Sequence, residues 1–124
     1  MRTTKHPSWL LITFAVAACA SSGTGGGGFL RDANLITAEE LSDVSDRSVY
    51  EAIQVLRPQW LRRTGFRNDL PSAVLDNQRY ELDILETMSP DEVLWLRFMS
   101  PSDAGVRWGT GYPSGVIEVR TRQR

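Results

Sequence analysis

Residues 89–121 read S-P-D-E-V-L-W-L-R-F-M-S-P-S-D-A-G-V-R-W-G-T-G-Y-P-S-G-V-I-E-V-R-T, and this stretch decides the fold. Ser89-Pro90-Asp91-Glu92 is a helix start with proline at the first helical position, where a missing N–H costs nothing. Leu94-Trp95-Leu96-Arg97-Phe98-Met99 alternates with period two, which predicts a strand with Leu94, Leu96 and Phe98 on one face. Ser100-Pro101-Ser102-Asp103 opens a second helix, predicted to reach about Trp108, and Gly109-Thr110-Gly111 breaks it. Gly115 to Arg122 predicts a last strand, with Ile117 and Val119 inward and Glu118 and Arg120 outward.

Moving towards the N-terminus, the pattern repeats. Asp76-Asn77 separates Ala73-Val74-Leu75 from Gln78-Arg79-Tyr80; both turn residues tolerate positive φ, so a tight hairpin is predicted. Leu82 to Met88 reads as one or two helical turns, and Pro58 to Pro71 as a loop. Ser48 and Glu51 have capping-box spacing. Val49, Ala52, Ile53 and Leu56 then form one apolar helix face that stops before Pro58. Thr37 and Glu40 repeat the capping box after Leu35-Ile36 and start a helix to about Val44. Short helices interleaved with strands predict an α+β domain with a small mixed β-sheet.

The first 34 residues have a different character. Arg2, Lys5 and His6 precede the apolar run Trp9 to Ala18. As a helix that run spans only ~15 Å, half a bilayer core, which suits a signal peptide rather than a transmembrane anchor. Val16-Ala17-Ala18-Cys19 resembles the bacterial lipobox. The resemblance implies a lipoprotein signal peptide over 1–18, cleavage before Cys19, lipid on its sulfur and acylation of the new amino group, which together hold the chain to a membrane. Ala20 and Ser21 come next, with no aspartate, which by resemblance to lipoprotein sorting rules implies the outer membrane, facing the periplasm. Ala20 to Gly28 reads A-S-S-G-T-G-G-G-G and is expected to act as a flexible tether, so 19–34 reads as lipidated cysteine plus spacer and 35–124 as the folded domain.

Composition narrows the chemistry. Of 14 cations, Arg2 and Lys5 fall in the signal segment, leaving 12 against 15 acids, a net of −3. That balance argues against nucleic acid as a partner. The only histidine, His6, and the only cysteine, Cys19, lie outside the folded part. The domain therefore cannot build a Ser-His-Asp triad, a Cys-His pair, a Cys/His zinc site or a disulfide, and no cofactor is expected.

The segments of the folded part together resemble the plug domain of TonB-dependent outer-membrane receptors. Leu35 to Leu41 is similar to the plug's first strand and capped helix, and Val74 to Arg79 to its hairpin, with Asn77 where glycine is common. Ser89 to Phe98 resembles a P-x-D/E-I-x-x-I-x-V segment. Arg107 to Thr121 is similar to the closing Y-G-x-G-A-x-G-G-V-I-x-I-x-T signature. The resemblance implies a plug-like fold. It does not imply transport, because a receptor needs a barrel of about 22 strands behind the plug, and no such stretch follows Arg124.

Three functions are weighed. The first is a non-enzymatic lipoprotein adaptor, associated with an outer-membrane transport component. Its candidate contacts are Trp60, Arg62, Arg63, Phe66 and Arg67, because arginine forks and aromatics suit anionic or protein partners. The bland reading of that segment puts Trp60 in the core and the arginines in solvent. The second is a binding module for a soluble ligand such as a glycan or siderophore, which needs a concave site with convergent polar groups. The third is a hydrolase using carboxylates alone, for which Glu39, Glu40, Asp43, Asp91 and Glu92 are the available acids; helix capping explains them more simply. Gly109-Thr110-Gly111 is read as a structural turn rather than a phosphate loop, because a serine, Ser114, stands where a third glycine belongs.

Overall fold

The computed structural model describes residues 32–65 and 67–122. Cys19 and the stretches expected to be a signal peptide and a tether lie outside the described residues, as does Phe66. In chain order the elements are β1 (Leu35–Thr37), α1 (Ala38–Ser42), α2 (Val49–Leu56), a 3-10 turn (Pro58–Leu61), β2 (Ser72–Leu75), β3 (Gln78–Tyr80), α3 (Ile84–Thr87), a second 3-10 turn (Pro90–Glu92), β4 (Val93–Met99), α4 (Pro101–Trp108) and β5 (Val116–Thr121). The strands form one five-stranded mixed sheet in the order β1-β4-β5-β2-β3. Only β2 and β5 run parallel, so the fold is α+β.

Local chemistry sets each element. The Thr37 hydroxyl accepts the Glu40 N–H at 3.4 Å while the Glu40 carboxylate takes the Thr37 N–H at 3.3 Å. Ser48 and Glu51 make the same reciprocal pair at 3.2 and 3.1 Å. Each pair satisfies amides that a helix start would otherwise leave unbonded. Asp76 and Asn77 adopt φ of 46° and 72°, the left-handed pair whose twist matches a two-residue hairpin.

The main core lies on one face of the sheet. Ile36, Ala73, Val93, Leu96, Ile117 and Val119 meet buried side chains from α1, α2 and α3 and from Trp60. Each large side chain buried this way contributes roughly 1.5–3 kcal/mol. α4 covers part of the other face, where Ala104 packs on Val74 and Val116, with Met99, Trp108 and Tyr112 at the margin.

Two strand expectations are corrected. Leu94 is 46 % exposed, and Val93 takes the inward place beside Leu96 and Phe98. The cause is a bulge: Val93 pairs with Thr121 and Trp95 with Arg120, so Leu94 is the extra residue and the alternation resets across it. Glu118 is buried rather than outward, because β5 is covered on both faces. Arg107 of α4 meets its carboxylate at 2.8 Å.

Arg57 ties the first half together. Its guanidinium donates to the carbonyls of Asp32 at 3.2 Å, Leu35 at 3.1 Å and Leu56 at 3.0 Å, and pairs with Glu40 at 3.1 Å. Arg57 is 7 % exposed. Removing one partner of a buried pair strands the other. Arg57→Met is therefore expected to lower stability by about 3 kcal/mol in urea denaturation, and Arg57→Lys to recover only part of it, because an ammonium lacks the fork. A loss below about 1 kcal/mol would show a pair no stronger than a surface one.

Candidate functional site

The candidate segment after α2 splits between core and surface. Trp60 is 2 % exposed; its indole N–H donates to Ala33 O at 3.0 Å and its ring stacks on Phe98 at 6.0 Å. It offers no surface to a partner, so its placement among the contact residues is corrected. The expected reason for an exposed tryptophan disappears once its one donor finds a carbonyl. Arg62, Arg63 and Arg67 are exposed, and Arg63 donates to Asn68 O at 3.4 Å.

Within the expected loop the described residues Thr64 and Asp69 are paired across the chain, closing an arm. Thr64 and Asp69 form an isolated antiparallel bridge around Gly65 and Asn68, both at positive φ. Buried Ser114 donates to Thr64 O at 2.8 Å, pinning this arm to the turn after α4. Gly65 fits because a Cβ there would lie 2.7 Å from Pro113 O, in a backbone conformation that side chains resist.

The pinned arm, the β2–β3 hairpin and α4 with its following turn enclose an open groove of about 830 Å³. Arg67 and Asp69 project from the arm, Arg79 and Glu81 from the hairpin, and Tyr112 from the turn. The Arg79 guanidinium lies 4.8 Å over the Tyr112 ring and reaches Ser72 Oγ at 3.4 Å, so it is held in place. Among the described residues none of these four charged groups has an ion-pair partner. Of the residues singled out in the sequence, the groove gathers Arg67 and Gly109-Thr110-Gly111; Arg62 and Arg63 do not line it. The glycine turn caps the C-terminus of α4 and leads into β5, not into a helix.

Sequence reading missed Arg79, Glu81, Tyr112 and Ser114. Nothing local marks them, because the contact that builds the groove joins Thr64 and Ser114, 50 residues apart. Two of the candidate acids have structural explanations, while the turn that holds Asp91 and Glu92 shows no side-chain cap. Glu40 caps α1 and pairs with Arg57. The Glu39 carboxyl is held below its ordinary value, chiefly by a hydrogen bond from the Thr37 side chain, which is the wrong direction for a proton donor near neutral pH. Among the described residues no three metal-ligating side chains converge, and no helix is long and apolar enough to cross a membrane. No family model, curated protein or solved structure matches this chain.

Gly65→Ala is expected to cost about 2 kcal/mol, from positive φ, together with a clash against backbone, and to loosen the groove wall. Thermal denaturation measures the first effect, and faster amide exchange at Thr64 and Asn68, whose N–H groups bond to Asp69 O and Gly65 O, the second.

Proposed function

We propose that this chain is a non-enzymatic lipoprotein of the bacterial cell envelope, anchored through lipid on Cys19 and acting as a binding or adaptor module at the periplasmic face of the outer membrane. The anchoring half rests on the lipobox-like Val16-Ala17-Ala18-Cys19 segment and the glycine-rich spacer after it. The observation that carries the binding half is the groove, where two arginines and two carboxylates stand without ion-pair partners among the described residues. Unpaired charges at a concave surface favour a polar partner that supplies the missing counter-charges. The plug-like motifs favour an outer-membrane transport component as that partner.

A binding role is supported over hydrolysis by exposure. Asp69 and Glu81 share the groove, but both stand in solvent. A general acid near neutral pH needs a carboxyl shielded from water.

The groove itself favours a second reading, a soluble-ligand module. Its volume of about 830 Å³ is in the range of small-molecule sites, and Tyr112 beside hydroxyl-pairing carboxylates and arginines suits a glycan.

Affinity capture from crosslinked envelopes separates the two. The adaptor reading predicts one outer-membrane component recovered with the wild-type chain, lost with Cys19→Ala and weakened by Arg67→Glu. Recovery of nothing above background, with oligosaccharide binding to the isolated chain that Arg67→Glu abolishes, would establish the second reading instead.

A further inference from the structure

The two edges of the sheet are finished differently. On β1, Leu35 N–H goes to Asp32 O at 3.1 Å, Leu35 C=O receives Arg57, and Thr37 N–H goes to Glu40. That edge is sealed by its own chain. On β3 no such closure is present among the described residues, and all three residues are exposed.

The outward groups of β3 follow from its neighbours. Ser72 and Asp76 send their N–H groups to Gly115 and Val119 of the β5 side. The backbone of Val74, between them, therefore also faces β5, and Ala73 and Leu75 face β3. Their partners Tyr80 and Gln78 point back at β2. Arg79, paired with Val74, points its N–H and C=O away from the sheet, and so does the N–H of Glu81. An open edge of this kind is a template for another strand.

The residues on it read Arg79-Tyr80-Glu81, which is charge-palindromic. Paired antiparallel with a second copy about Tyr80, each Arg79 stands opposite a partner Glu81, and each Arg79 C=O meets the partner's Glu81 N–H, the Glu81 C=O being taken by the Ile84 N–H at 3.3 Å. Arg79 and Glu81, two residues apart, lie on the groove side of the strand, so both charge pairs form on one face.

We propose that this chain self-associates as a two-fold symmetric dimer through β3, joining two sheets into one across an Arg79–Glu81 pair and its symmetry mate. The interface is small, so association in dilute solution is weak. Anchoring at a membrane raises the effective concentration and favours it. The charge complementarity is to itself, which selects a second copy over an unrelated segment.

The test uses the full-length chain expressed in its envelope. At the two-fold centre the Tyr80 Cα atoms stand about 4.5 Å apart, within disulfide reach. Tyr80→Cys is expected to give a disulfide-linked dimer under mild oxidant, above the background of the unmodified chain with Cys19 alone. Adding Arg79→Glu, or Glu81→Arg, sets like charges opposite each other and is expected to cut the yield about tenfold; the double reversal restores opposite charges and the yield. No dimer above background, yields indifferent to both reversals, or a link from Tyr80→Cys to a different envelope protein would each overturn the proposal. None of these outcomes bears on whether Cys19 anchors the chain.

Discussion

The buried pair between Glu40 and Arg57 is the constraint on which the first half of the molecule rests. A guanidinium at the end of α2 is costly to bury unless its donors are used, and here they are spent on three carbonyls and one carboxylate. Those acceptors come from the approach to β1, from β1 itself, from α1 and from α2. One side chain therefore fixes where the chain enters the sheet, how α1 leaves it, and where α2 stops. Glu40 serves twice, because the carboxylate that meets Arg57 also completes the cap on α1. The same arrangement consumes the outward backbone groups of β1, so core stability and edge protection share a cause.

The opposite side of the sheet is held by a parallel logic with weaker means. Glu118 sits in the central strand under α4 and is tolerable there because Arg107 reaches it from the helix. Arg107 is itself half exposed and lies over Trp108 at 4.8 Å, so its charge keeps contact with water. α4 is thus placed by a small apolar contact and one ion pair, and the strip between it and β3 remains open as the groove. Gly115, at φ 85°, lets the last strand begin beneath that turn: a Cβ there would meet Met99 O at 2.5 Å.

Features that depend on near neighbours were readable from the sequence. Both capping boxes, the Asp76-Asn77 hairpin, the proline-led start of α4 and the α+β class all follow from contacts within a few residues. Features that depend on distant partners were not. The Leu94 bulge is a property of the β4–β5 register, and Glu118 becomes buried only because α4 folds back over β5. Arg57 looks like any arginine before a proline; its role emerges when Asp32 and Leu35, 25 and 22 residues away, bring their carbonyls to it. Trp60 joined the arginines after it as a candidate contact because its carbonyl partner lies 27 residues earlier. Of the candidate site only Arg67 and the glycine turn were singled out beforehand, since an arm pinned through Ser114 leaves no local mark.

One sheet edge is sealed and the other is open, and amide hydrogen exchange on the dilute chain reads that asymmetry directly. Thr37 and Leu35 on the sealed edge are expected to exchange slowly, on the scale of the central amides of β4 and β5, while Arg79 on the open edge exchanges close to the rate of an unprotected amide. Equal, fast exchange at Thr37 and Arg79 would contradict it, because the Arg57–Glu40 arrangement would then not hold β1 closed in solution.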